Sequence, residues 1–376
     1  MTVKGIYTRY AIWALILTSG PLYATPSISM IVDTTTMVHG STLTITGFGF
    51  TAYSTTTGTF DMFESNSFSP YWAATNAMSL PGSQQRNSNS TININDTLTN
   101  GSNDDAALQG AGTTARSWYV SFWWKVDPAW VWGTTDFSGT HKWLSNIKII
   151  RFWNPSGSSV QNVYLAFVGF DGGLYFLKEG ITGAGLTALH VSPAQLTLNT
   201  WHQFRYQFVD SSSIGVSDGS SKIYFDTRTI YDVSGQLYKS AEDINKRPQR
   251  IGFQNEWSCT EGTPDTGGCY PGTFWMDDVY AHDSIARVEI CDQPTYTGCT
   301  VPPEIQKINS WSATSINITY NLGSLGTTQY VYVVDNTGTP SAGFLINGPA
   351  QPGGGPNVPH SGLNGQSSLK GKAILK

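Results

Sequence analysis

Charge is scarce in this chain of 376 residues. Asp, Glu, Lys and Arg together make up 12%, about half of the ~25% usual in globular proteins. The 21 basic residues do not outnumber the 26 acidic ones, and the net charge is −5, which excludes the basic stripe of a nucleic-acid binder. The common helix formers are thin on the ground, so a coiled coil or helical bundle is excluded as well. There are only 4 cysteines. No apolar run approaches the ~20 residues of a membrane-spanning helix. The HExxH, P-loop and dinucleotide-binding patterns are absent. What fills the space is aromatic: 13 Trp, 18 Tyr and 17 Phe, with 39 Gly, in a chain that is 39% hydrophobic. That is enough apolar matter for a real core, so disorder throughout is excluded too.

The first residues read as an export signal. Lys4 and Arg9 precede the apolar stretch Tyr10–Leu17, and Leu22-Tyr23-Ala24 ends on a small residue, so cleavage is expected after Ala24. The mature chain is then secreted or held at the cell surface, and does not span a membrane. Cys259, Cys269, Cys291 and Cys299 fit that compartment, because an even number of cysteines in an exported chain favours disulfides. Four cysteines allow three connectivities, and the local one joins Cys259 to Cys269 and Cys291 to Cys299. Zinc is the alternative, but no CxxC or histidine cluster accompanies them. Asn89, Asn95, Asn100 and Asn317 stand in N-x-S/T sequons.

Period-2 alternation dominates the rest. Strand-like runs occur at Thr42–Thr46, Tyr119–Val126, Ile147–Trp153, Val163–Val168, Leu174–Leu177, Trp201–Val209, Lys222–Asp226, Gln249–Gln254 and Thr273–Ala281, separated by Gly, Asn, Asp and Ser. Many short strands with turns between them predict an all-β sandwich or barrel. Three zones differ in style. Residues 25–58 carry two Thr- and Ser-rich strands, residues 59–301 form a long aromatic body, and residues 302–348 start at Pro302-Pro303 and offer about four further strands. Two strands rarely stand alone, so the outer zones are expected to join as one small sandwich with the body inserted between its halves. Residues 349–376, rich in Gly and Pro, are expected to be a disordered tail.

Two resemblances follow from particular residues. Gly40-Ser-Thr-Leu-Thr-Ile-Thr-Gly47, together with Ile308–Asn321 and Tyr330–Ile346, resembles the two halves of an IPT/TIG domain, an Ig-like sandwich that commonly serves as a spacer or adhesion module. The body resembles a concanavalin A-like (LamG-like) jelly roll at Asp61–Glu64, at Trp201–Tyr206, at Lys222–Asp226 and at Phe274–Tyr280. The implied fold is a jelly-roll β-sandwich inserted in, or flanked by, a small Ig-like one. Such jelly rolls include lectins, carbohydrate-binding modules, glucanases and polysaccharide lyases, so fold alone leaves function open.

The candidate site residues are weighed on chemistry. Asp61, Glu64 and Asp278 come from opposite ends of the body, which pair in a jelly roll, and their carboxylates suit a structural Ca²⁺. Trp123 and Trp124 are neighbours on one strand, so one faces the core and the other the opposite side. Sugar rings stack on flat aromatic faces, and the ligand contacts are expected among Trp123 or Trp124, Trp143, Trp153, Trp257, Arg151 and Arg205. Lys148 or Arg151 with Gln203, Arg205 and Gln207 would form a polar face that suits sugar hydroxyls or a uronate carboxylate.

Catalysis is the weaker reading. A lyase would draw on His202, Tyr206 and Arg205, but Arg205 alternates away from the other two, and the RxExR and QxH motifs of alginate lyases are absent. The ExDxE run of glycosidases on this fold is absent too. Gly215–Gly219 matches G-x-S-x-G but lies in a loop between two β runs, without the strand–turn–helix that a nucleophile elbow needs. The sequence therefore points to a secreted glycan-binding or adhesion protein whose partner is an extracellular polysaccharide or cell-surface glycan. A polysaccharide-cleaving lyase or hydrolase is the alternative, and a structural subunit of an extracellular layer or filament the second.

Overall fold

The computed structural model describes residues 25–33, 37–51, 53, 58–61, 72–74, 78–79, 86, 92–96, 101–102, 107–109, 115–126, 144–153, 162–168, 174–179, 185–189, 196–239, 250–253, 256–259 and 272–347. Among these the chain runs as β1 (Ser27–Asp33), β2 (Thr42–Phe48), β3 (Gly58–Asp61), β4 (Trp72–Ala74), β5 (Met78–Ser79), β6 (Ile92–Asp96), β7 (Gly101–Ser102), β8 (Ala107–Gln109), β9 (Ser117–Val126), β10 (Leu144–Trp153), β11 (Asn162–Val168), β12 (Leu174–Glu179), β13 (Gly185–Ala188), β14 (His202–Val209), β15 (Gly219–Phe225), β16 (Arg228–Gln236), β17 (Arg250–Phe253), β18 (Glu256–Cys259), β19 (Gly272–His282), β20 (Arg287–Cys291), β21 (Glu304–Ile305), β22 (Lys307–Trp311), β23 (Ser315–Thr319), β24 (Thr328–Val334) and β25 (Phe344–Asn347), with one 3-10 turn at Tyr296–Gly298. No α-helix occurs among the described residues.

The body is an antiparallel jelly-roll sandwich of two sheets. One has eight strands in the order β16-β15-β14-β9-β19-β6-β5, with β3 also on β19. The other has nine, in the order β13-β12-β11-β10-β17-β8-β4, with β18 on β10 and β7 on β18. Alternation builds the core between them. On β9 the inward residues are Trp118, Val120, Phe122, Trp124 and Val126, and on β14 they are Phe204, Tyr206 and Phe208. Ile150 and Phe152 of β10, Phe176 of β12, and Ile251 and Phe253 of β17 meet them from the nine-stranded sheet. The rings pack in mixed geometries, with Phe152 and Phe208 stacked at 5.0 Å and Phe122 and Phe253 edge-on at 5.2 Å. Each such side chain contributes about 1.5–3 kcal/mol by leaving water.

A second, smaller two-sheet unit sits on the body. Its sheets are β1-β2-β23-β22 and β21-β20-β24-β25. Leu43, Ile45, Val288, Ile290, Ile316, Ile318, Val331 and Val333 fill the space between them. Strands from both ends of the chain therefore share one sheet, with β2 pairing along β23 from Thr42↔Thr319 to Thr46↔Ser315. The strand β20, which a boundary at residue 301 assigns to the body, pairs with β24 and belongs here. Pro302-Pro303 marks a connection inside this unit, between β20 and β21, rather than its start. The stretch from Glu304 to Trp311 divides at Gln306 and passes from one sheet to the other. The buried Gln306 side chain holds that crossing, donating to the carbonyls of Glu304 and Asn321 and accepting from the Asn321 amide. Cys291 and Cys299 are joined in a disulfide, Cα to Cα 5.8 Å. Cys269 lies outside the described residues, and for Cys259 only the backbone is described.

Candidate functional site

The outer face of the eight-stranded sheet carries Tyr119, Trp123, Gln203, Arg205, Tyr280 and His282, and the small unit closes over it. Gln203 is fully buried and donates to the Pro303 carbonyl at 2.8 Å. Arg205, 3% exposed, donates to the Asp226 carbonyl and lies over the Tyr224 ring at 4.4 Å. The neighbouring Tyr119 hydroxyl donates to Glu289 Oε1 at 2.6 Å, and Arg287 Nε donates to the same oxygen at 2.8 Å. Arg287 also stacks on Tyr119 at 3.9 Å, and the Tyr296 hydroxyl donates to Glu289 Oε2. Burial pushes the Glu289 carboxyl up, but Arg287 and Arg205 outweigh it and hold it below the usual carboxylate range. Burial pushes the Tyr119 hydroxyl well up. Two arginines, one carboxylate and the Tyr119 and Tyr296 phenols thus meet where the two units pack together.

A second cluster seals the adjoining part of the interface. Arg86 donates from Nη1 to Asp278 Oδ2 at 2.5 Å and from Nη2 to Glu304 Oε1. Its guanidinium covers the Trp123 ring at 3.5 Å, and the Trp123 indole N–H donates to Glu304 Oε2 at 3.3 Å. Burial pushes the Asp278 carboxyl up to about 6; Arg86 pulls it down and Glu304 pushes it up. Asp278 sits in the left-handed region, φ 48°.

These contacts take Trp123 and Arg205, two of the expected ligand contacts, off the open surface. Trp124 points into the core and is fully buried; Trp123 points the other way, as alternation requires, but is 4% exposed beneath Arg86. Neither presents a ring to a sugar. Arg205 and Gln203 are closed off in the same way. The polar face drawn from Arg151, Gln203 and Arg205 does not assemble, because Arg151 lies on β10 of the other sheet. Of the calcium set, only the Asp278 side chain is among the described ones. β3 does pair with β19 and sets Asp61 opposite Val279, but Asp278 already has the Arg86 guanidinium against its carboxylate. Glu64 lies outside the described residues, and for Asp61 only the backbone is described.

His202, Tyr206 and Arg205 are divided by the sheet. Tyr206 is a core residue bonded to Ser221 Oγ at 3.1 Å, and burial pushes its hydroxyl well up. His202 leaves the core at the rim of β14. Its Nδ1 meets Asp226 Oδ2 at 2.9 Å and its Nε2 meets Thr197 Oγ1 at 3.1 Å. Arg205 faces the small unit. On the His202 side of the sheet, Arg228 lies over the Phe225 ring at 5.8 Å, the ring on which His202 is stacked.

The nine-stranded sheet has a different surface. A bulge between Lys148 and Ile150 on β10 shifts the alternation, so Ile149 joins Ile150 in the core instead of sharing a face with Arg151. Beyond the bulge, Arg151 stands opposite Tyr164 of β11 and Gly252 of β17. Trp153, two residues on and in the same phase, stands opposite Asn162 and Arg250. Arg250 stands in turn opposite Gln109 of β8. Phe152, between them in sequence, is in the core, which puts the Arg151 and Trp153 positions on the outer phase. Trp257 stands opposite Ile147, in a different row. Trp143 lies outside the described residues.

Arg86, Asp226, Arg287, Glu289 and Glu304 carry most of the buried polar chemistry and escaped the sequence reading. Two of them had a signal. Arg287 and Glu289 alternate within a short apolar strand, RVEIC, where charges on one face need each other.

No family model matches this chain, and no curated protein does. Among solved structures it is similar to an endo-β-1,4-glucuronan lyase from the fungus Trichoderma reesei, at 12% identity and a TM-score of 0.34, covering 56% of this chain and 86% of that one. It is also similar to the cellulose-induced protein Cip1, at 15% identity and a TM-score of 0.37, covering 60% and 97%. A third likeness is to the binding domain of botulinum neurotoxin DC, solved in complex with SialylT, at 12% identity and a TM-score of 0.34, covering 68% and 65%.

Proposed function

We propose that this protein is a secreted, lectin-like or adhesion protein that binds an extracellular polysaccharide through the outer face of its nine-stranded sheet. The observation that carries the reading is the register of β8, β10, β11 and β17. It sets Arg151, Tyr164, Trp153, Asn162, Arg250 and Gln109 in two adjoining rows, while the opposite sheet is closed by the small unit. Guanidinium groups pair with carboxylates in fork geometry, and aromatic and amide positions beside them suit sugar rings and hydroxyls. A polysaccharide bearing carboxylate or sulfate groups fits that set best. The small unit serves as an Ig-like spacer of the IPT/TIG kind. The separation of His202 and Tyr206 from Arg205 favours binding over lyase chemistry.

The test is affinity measurement against immobilised alginate and polygalacturonate, with cellulose and a neutral β-glucan beside them. The acidic polymers are expected to bind, and Arg151→Ala and Arg250→Ala each to weaken binding about tenfold, the effect of losing ~1.4 kcal/mol. A folded protein that binds no polysaccharide, or one whose affinity both variants leave unchanged, would overturn the reading.

A further inference from the structure

His202 is held from both sides. Asp226 Oδ2 lies 2.9 Å from its Nδ1, and Thr197 Oγ1 lies 3.1 Å from its Nε2. A carboxylate only accepts, so Nδ1 carries the hydrogen and Nε2 is left to accept from the threonine hydroxyl. Asp226 is itself fixed: its other oxygen accepts from the Gln203 amide at 2.8 Å, and its backbone carbonyl accepts from Arg205 at 2.9 Å. The imidazole is stacked on Phe225 at 5.0 Å, which sets its plane. His202 is buried, Asp226 half-buried, and Thr197 exposed. The hydroxyl end of this line therefore faces solvent, and the histidine between the two ends is the most enclosed of the three. Asp226 at φ 51° and Asn199 at φ 57°, both in the left-handed region, bring the two loops around the histidine. Backbone strain of this kind gathers at functional sites.

A hydroxyl, a histidine in hydrogen-bond reach and an acid that orients the histidine are the parts of an activated oxygen nucleophile. We propose that Thr197, His202 and Asp226 form an acyl-transfer site that hydrolyses carboxylic esters, independently of polysaccharide binding on the other sheet. Thr197 Oγ1 attacks the ester carbonyl carbon while its proton passes to His202 Nε2. The carbon–alkoxy bond then breaks, and the leaving alcohol takes that proton. Water attacks the acyl-threonine, giving a proton to Nε2. The carbon–Oγ1 bond breaks, the acid leaves, and Thr197 recovers its hydrogen. Ester and water become acid and alcohol, and no other reactant is needed. Asp226 holds the Nδ1 hydrogen throughout and stabilises the imidazolium between steps.

The experiment uses the mature chain with a fluorophosphonate probe and, separately, p-nitrophenyl acetate. One probe per chain is expected, mapped to Thr197 by peptide mass. Thr197→Val should lose the label and the hydrolysis together, and because Thr197 is exposed this variant should fold as the parent does. Thr197→Ser should keep both. His202→Gln should slow labelling about 100-fold, the lower range for losing a general base, and Asp226→Asn at least ~10-fold. No label on Thr197, or hydrolysis that survives Thr197→Val, overturns the proposal and leaves the three residues as a rim clamp on β14.

Discussion

Replacing Arg287 by Met tests the claim that the small unit seals the outer face of the body's eight-stranded sheet. Arg287 and Glu289 are 1% and 0% exposed. The guanidinium satisfies Glu289, the Ile285 carbonyl and the Tyr296 hydroxyl, and covers Tyr119. Removing it leaves a buried carboxylate without its cation, which costs about 3–5 kcal/mol. With an unfolding entropy of ~2.1 cal/mol/K per residue, the whole chain gains roughly 0.8 kcal/mol/K on melting. The expected drop in Tm is therefore about 5 °C, read by calorimetry and checked by the urea midpoint at constant m. The double variant Arg287→Met with Glu289→Leu should recover most of the loss, because apolar groups of similar size often replace a buried pair at little or no cost. The sign of the pH dependence follows from Glu289. Its folded pKa lies below its ordinary value, so its contribution is present above the unfolded pKa and is lost as pH falls through the folded one. A loss below ~1 kcal/mol in Arg287→Met, the range of an exposed pair, would refute the burial of this cluster and with it the closed face.

Two further substitutions probe the adjoining cluster. Asp278 has a folded pKa of about 6 against 3.8, a group raised in the folded state, so its contribution is present below pH ~4 and is lost as pH rises through 6. Asp278→Asn should remove that part of the pH profile of stability, and identical profiles for variant and parent would contradict the assignment. Gly323 has φ +57°, and a Cβ there would stand 1.9 Å from Glu304 Cδ. Gly323→Ala should therefore cost at least ~2 kcal/mol in denaturant unfolding, and an unchanged midpoint would mean that Glu304 is not packed against this turn.

Alternation was readable and gave reliable local geometry. Phe204, Tyr206 and Phe208 do face the core while Gln203 and Arg205 face away, and Trp123 and Trp124 do point to opposite sides. What alternation cannot report is what lies above a face. A polar row reads the same whether water or protein covers it, and here Pro303, Glu289 and Arg287 cover it from residues nearly a hundred positions further on. Arg205, Arg287 and Glu289, among the few charges of the chain, make their contacts inside the molecule. The β10 bulge had a sequence signal that a uniform period-2 reading passes over. Ile147 to Phe152 reads IKIIRF, in which Ile149 and Ile150 are adjacent apolar residues and the phase of Ile147 gives way to that of Phe152, where the register against β11 slips. The bond between His202 and Asp226 joins two strands across a turn, a pairing that spacing alone does not announce.

Thr44 accepts a hydrogen bond from Asn317, 273 residues later in the chain. At a synthesis rate of ~5–20 residues per second, β1 and β2 wait roughly 15–55 s before β23 exists. During that time Leu43 and Ile45 have no permanent cover. The small unit can close only after β23 has been made, so its closure acts as a check that the whole body between β2 and β23 has been synthesised. A chain cut short anywhere before β23 carries an open hairpin edge at its front, the kind of surface that chaperones hold and proteases find. The closure also fastens the two ends of the body to each other, so that unravelling from either end must first break a sheet built from both.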